Sequence, residues 1–176
     1  MGERHSLCHI SLRELQIHDP GSRHHVLDIP HSPISRMTEV VSIIAIASTA
    51  LGLTKDCVGI VRLIKETIET SKLAKNALIE LLNRTERTRG LLELVRALTD
   101  QIKDTDQRGV LLSFNDSACR KTLTELRALV GEVSHKSSEF WVGIWWISHK
   151  KDADVLVEKM REQESAINTL LLSIIA

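Results

Sequence analysis

Apolar residues recur at helical spacing from residue 40 to the carboxyl end of the chain. The first stretch, Val40 to Leu53, is almost continuously apolar and small, with Val40, Val41, Ile43, Ile44, Ala45, Ile46, Ala47, Ala50, Leu51 and Leu53. Thr38 is placed to cap it, with Glu39 in the first turn, where the helix dipole favours a carboxylate. Beyond Lys55-Asp56 the apolar face resumes at Val58, Val61, Leu63, Ile64 and Ile68. The pattern predicts one long helix or two abutting ones to about Lys72, with Gly52 and Gly59 marking a kink or a close helix contact. A second helix is predicted from about Leu73 to Lys103, carrying Leu78, Leu81, Leu82, Leu91, Leu92, Val95, Leu98 and Ile102. Its middle is weaker, because Thr85 and Thr88 stand where apolar residues are expected. Asp104-Thr105-Asp106 and Gly109 break it, and Val110, Leu111 and Leu112 are expected over one end of the core.

Asn115-Asp116-Ser117 supplies helix-starting side chains, and the stripe Cys119, Leu123, Leu126, Val130, Val133 follows at spacings of 4, 3, 4 and 3. After a polar linker, Ser134 to Ser138, comes the aromatic run Phe140-Trp141-Val142-Gly143-Ile144-Trp145-Trp146-Ile147. The last helix carries Leu156, Met160, Gln163, Ile167, Leu170 and Ile174, spaced 4, 3, 4, 3 and 4. Four or five long helices, each apolar along one stripe, bury those stripes by forming an all-α bundle.

Proline and histidine place a boundary. Pro20, Pro30 and Pro33 all precede Met37, as do His5, His9, His18, His24, His25 and His31. Residues 37–176 contain no proline, the residue a helix interior tolerates least. This predicts a disordered leader over 1–36 and a folded unit over 37–176, with Met37 itself a candidate initiator. The leader's apolar residues Leu7, Ile10, Leu12, Leu15 and Ile17 admit a short helix that Asp19-Pro20-Gly21 would end. It lacks the long apolar run of a signal peptide.

Composition narrows the function. The 176 residues hold 23 basic and 23 acidic side chains, which argues against a general nucleic-acid binder. Aromatic residues are 3% with no Tyr, so the core is aliphatic and a β-sandwich is disfavoured. Cys8, Cys57 and Cys119 show no CxxC spacing, and the last two sit on apolar stripes as small hydrophobes. His24, His25 and His31 form a histidine-rich patch without a frame to hold a metal. No GxxxxGK[ST] and no GxGxxG occurs, so no phosphate cradle is visible. Asp152 and Asp154, or Glu162 and Glu164, lie two apart and point to different sides of a helix. These readings predict a non-enzyme without cofactor, metal or small-molecule substrate, in a reducing, cytoplasmic setting.

Two segments carry the candidate function. Val40, Val41, Ile43, Ile44, Ile46, Leu51 and Leu53 form a stretch short of the roughly 20 residues that cross a bilayer. Its expected state at rest is a buried core helix, and released from the fold it would enter a membrane. Trp141, Trp145 and Trp146 beside Lys150 and Lys151 form the second. Their expected role is an aromatic plug between the third and last helices. The other reading is an interfacial anchor or a partner hot spot.

Three motifs together resemble the helical amino-terminal domains of fungal STAND (NLR-like) proteins, the group of NACHT-associated, SesA and HeLo-like domains. These are the opening Met37-Thr38-Glu39-Val40-Val41-Ser42-Ile43-Ile44-Ala45-Ile46-Ala47, the second helix with Leu78, Leu81, Leu82, Leu91, Leu92 and Leu94, and the ending Trp145-Trp146-Ile147-Ser148-His149-Lys150-Lys151-Asp152 followed by Val155 to Arg161. They span about four fifths of the chain. The resemblance implies a signalling or effector head that contacts like domains or a NACHT-bearing receptor. In some branches such a head disrupts membranes to cause cell death. This chain carries no nucleotide-binding motif and no repeats, and it adds a leader.

Overall fold

The computed structural model describes residues 33–70, 72, 74–102, 104–135 and 138–175, with side chains from Val41 onward. Residues 1–32 of the expected leader 1–36, with its histidines and Cys8, lie outside them, and its residues 33–36 fall in the first helix. Among the described residues there are five helices and no strand: α1 Pro33–Thr70, α2 Lys75–Gln101, α3 Thr105–Leu111, α4 Asp116–Ser134 and α5 Glu139–Ile175. The described residues form an all-α bundle of four long helices and one short one.

In α2 the buried positions alternate by three and four, and the other long helices keep that period with adjacent pairs added. α2 buries Leu78, Leu81, Thr85, Thr88, Leu92, Val95 and Thr99. α1 buries Ala50, Leu53, Cys57, Ile60, Val61, Ile64 and Thr67. α4 buries the predicted stripe from Cys119 to Val133, and α5 buries Val142, Trp146, Ala153, Leu156, Met160, Ile167, Leu170 and Ile174 among others. A mean step of about 3.5 keeps each seam facing its neighbours along a slightly supercoiled bundle. Helices α2 and α4 each pack on both α1 and α5, which puts α1 and α5 across the bundle from each other.

Several boundaries differ from the sequence expectation, each for a local reason. α1 starts at Pro33, four residues before Met37, so Thr38 and Glu39 lie inside it rather than at its cap. Proline suits a first helical turn because its missing N–H has no partner there anyway. α1 is unbroken: nothing lies within 4 Å of a β-carbon built on Gly52, while one on Gly59 meets Arg127 Nη2 at 3.1 Å. Gly59 is therefore a close contact and not a kink. The face of α1 resumes at Cys57 and Ile60, and Val58 is exposed. Thr85 and Thr88 are core positions after all. Thr85 satisfies its hydroxyl by donating to the Leu81 carbonyl at 2.7 Å.

The expected break after α2 is real but contains α3. Asp104 caps it by accepting from the Asp106 N–H at 2.7 Å, and Gly109 is carried within it. Leu111 is fully buried, Val110 packs against the core, and Leu112 is exposed. Gln107 Nε2 donates to the Ile174 carbonyl at 2.9 Å, tying α3 to the end of α5. Asn115 caps α4, accepting from the Ala118 N–H at 3.4 Å. The aromatic run is not a separate element between helices. It is the opening of α5, a single helix of 37 residues. Ser138 starts that helix, its Oγ accepting from the Trp141 N–H at 3.4 Å.

Candidate interaction surface

Ion pairs fix how the helices lie side by side. Arg84 Nη1 of α2 meets Glu164 Oε2 of α5 at 2.9 Å, and Arg161 Nη2 meets Glu80 Oε1 at 3.6 Å. Both partners advance together along the chain, so α2 and α5 run parallel. The short connections after α1 and α4 make antiparallel hairpins. The amino ends of α1 and α5 therefore face opposite ends of the bundle, and each exposes apolar side chains.

At the α1 end, Val41 is 66% and Ile44 60% exposed. Ile43, Ile46 and Leu51 are half-buried and Leu53 is fully buried. The Val40 side chain lies outside the described residues. The expectation of a helix buried along this whole stretch therefore fails for its first turns. Helix α2 spans 27 residues against 38 for α1, too short to cover it throughout. Because α1 is continuous, the segment Val41–Glu69, 29 residues whose most apolar 18-residue window has a mean hydropathy of 1.5, is long and apolar enough to cross a membrane by length and composition. Only 28% of its most apolar window is buried in the fold.

At the α5 end the three tryptophans part company. Trp146 is 6% exposed and joins the core with Val142. Trp141 is 59% exposed, its ring edge-on to Phe140 at 5.7 Å. Trp145 is half-buried and stacks on His149 with ring centroids 4.0 Å apart and planes 9° apart. The plug is thus Trp146 alone, flanked by Trp145. Lys150 and Lys151 are both exposed one turn further on. Sequence reasoning missed the residues that make the outer face: Phe140, Ile144 and Ile147, spaced 4 and 3 and exposed by 67%, 45% and 78%. Their signal was present, since an apolar stripe on the side opposite Val142 and Trp146 leaves the helix apolar all round.

Elsewhere ion pairs tie neighbouring helices together. Lys159 Nζ meets Glu125 Oε2 at 2.7 Å across α4 and α5, and Arg127 Nη2 meets Asp56 Oδ1 at 3.2 Å across α4 and α1. An open groove of about 380 Å³ between α4 and α5 is lined by Leu129, Glu132, His149, Asp152 and Lys159 among others. Among the described residues no group of three His, Cys, Asp or Glu side chains is placed to hold a metal. Burial pushes the Cys57 thiol up to about 12, aided by Cys119 and Asp56, and pushes Cys119 up to about 11. Both are therefore protonated and inert at neutral pH.

No protein-family model, no curated protein and no solved structure matches this chain.

Proposed function

We propose that this chain is a non-enzymatic signalling or effector module acting through protein–protein contact, homotypic or with a NACHT-bearing receptor, in a fungal NLR-like self/non-self or stress response. One observation carries the reading. The first two turns of α5 bury one apolar face in the core and leave a second, Phe140, Trp141, Ile144 and Ile147, in solvent. Contiguous exposed apolar surface of this kind marks interaction sites, and tryptophan is the side chain most often dominant in them. The balanced charge and the resemblance of the opening, second and closing segments to STAND heads support the same reading. The setting is cytoplasmic. Fusion to an inducible oligomerising domain in fungal cells tests it: a growth or death response is expected on oligomerisation and is lost with Trp141→Glu. Cells indifferent to the oligomerised chain would reject it.

A second reading has its own observation. The exposed Val41 and Ile44 open a segment of α1 apolar and long enough to cross a bilayer, which favours a HeLo-like executioner that perturbs membranes on activation. Oligomerised protein would then release dye from liposomes, and Ile44→Glu would abolish the release. Oligomers that leave liposomes intact would reject it.

A further inference from the structure

We infer that the outer face of α5 docks on the same face of a second copy, antiparallel about a two-fold axis near Ile144. This rests on the contact-module reading above and names its surface. The stripe Phe140, Ile144, Ile147 is followed by Lys151 four residues on, a spacing of 4, 3 and 4 that suits helix-on-helix packing. A two-fold axis at Ile144 sets Trp141 of each copy against Ile147 of the other, so apolar surface covers apolar surface.

Charge fits the same arrangement. Glu139 and Lys150 are 150 − 139 = 11 residues apart, which is three helical turns to within about 20°. They therefore lie on one flank of α5, about 100° round the helix from the stripe and beyond each end of the buried pair Gly143 and Trp146, from where their long side chains reach toward the outer face. Antiparallel pairing brings like flanks together, so Glu139 of each copy lies alongside Lys150 of the other, twice per dimer. Both are exposed, and none of the ion pairs among the described residues uses either. A parallel pairing would bring unlike flanks together and forfeit this match.

The area sets the strength. Aromatic side chains bring roughly 150–250 Å² each when whole, and with Phe140 and Trp141 about two thirds exposed and the smaller Ile144 and Ile147 45% and 78% exposed, the four offer on the order of 500 Å² per copy. Two copies then bury about 1,000 Å², the lower limit for a specific interface. The dimer is accordingly weak and reversible, as a contact that switches with local concentration requires.

Sedimentation velocity of the full chain across the micromolar range tests this, with circular dichroism and thermal melts of every variant as the folding check. A concentration-dependent dimer is expected. Ile147→Glu and Trp141→Glu should each weaken it by about tenfold or more without changing the melt. Glu139→Lys and Lys150→Glu should each weaken it, and the two combined should restore it. A chain that stays monomeric, a dimer indifferent to Ile147→Glu, or charge variants without mutual rescue would overturn the proposal. A monomer that instead sediments with phosphatidylcholine vesicles through Trp141 would assign the face to a bilayer and also overturn it. Loss of the dimer with a persisting response to forced oligomerisation in cells would sink this interface alone and leave the functional reading standing.

Discussion

Arg84 and Glu164 meet at 2.9 Å between two parallel helices, with side chains only 17% and 11% exposed. Burial opposes the Arg84 charge, but hydrogen bonds to Glu80 and Glu164 outweigh it and hold the guanidinium protonated. Glu80 lies 3.2 Å away on the same helix, so Arg84 keeps one partner if Glu164 is lost. Among the described residues Glu164 has no second partner, and its other oxygen is buried and unbonded. Arg84→Ala should therefore cost about 2–4 kcal/mol, and Glu164→Ala about 1–2 kcal/mol. Urea unfolding of the two variants checks the order.

Thr88 offers the opposite sign. Its side chain is 2% exposed and its hydroxyl has no hydrogen-bond partner among the described residues. Thr88→Val keeps the shape and removes the orphaned group, so it should stabilise the bundle by about 1 kcal/mol. Thr85→Val should gain less, because the Thr85 hydroxyl already donates to Leu81. Thermal melts of the pair separate the two.

The cysteines predict an alkaline limit. Unfolded thiols titrate at their ordinary value of 9.0, whereas folded Cys57 and Cys119 titrate near 12 and 11. The folded state thus keeps protons that the unfolded state has lost. Their contribution is complete below pH 9.0 and falls away as pH rises toward 11 and then 12. Unfolding free energy should decline over that window, and less steeply in Cys57→Ala with Cys119→Ala. Neither thiol should react with an aromatic disulfide reagent at pH 8 until the chain is unfolded.

Ile44 and Leu53 lie nine residues apart on one helix and should answer differently to charge. Ile44 is 60% exposed, so Ile44→Glu should change stability by no more than about 0.5 kcal/mol. Leu53 is fully buried, and Leu53→Glu should abolish cooperative unfolding by stranding a carboxylate in the core. Ile44→Glu is therefore a clean probe of membrane action, free of the folding defect expected if α1 were buried throughout.

Much of the fold was legible because the code is a spacing. The 3-and-4 stripes of α4 and α5, and the Asn115 cap, follow from the order of residues alone. The α2 stripe was half hidden, since Thr85, Thr88 and Thr99 occupy core positions with hydroxyls two of which turn back onto backbone carbonyls. The α1 stripe held at Val61 and Ile64 and failed at Val58, because a run so uniformly apolar let no face stand out and Val58 looked as suitable as Cys57. Exposure was the harder part. Trp141, Trp145 and Trp146 look alike in sequence, and only the position of α4 and α2 against α5 decides which of them is covered.

The central claim is that α5 turns one apolar face inward and keeps the other for a partner, with Trp146 on the first and Trp141 on the second. Fluorine NMR of the full chain labelled with fluorotryptophan tests it across a concentration series. The Trp141 resonance should shift as concentration rises while the Trp146 resonance stays fixed. A Trp141 signal that never moves, or a Trp146 signal that moves in its place, would contradict the account.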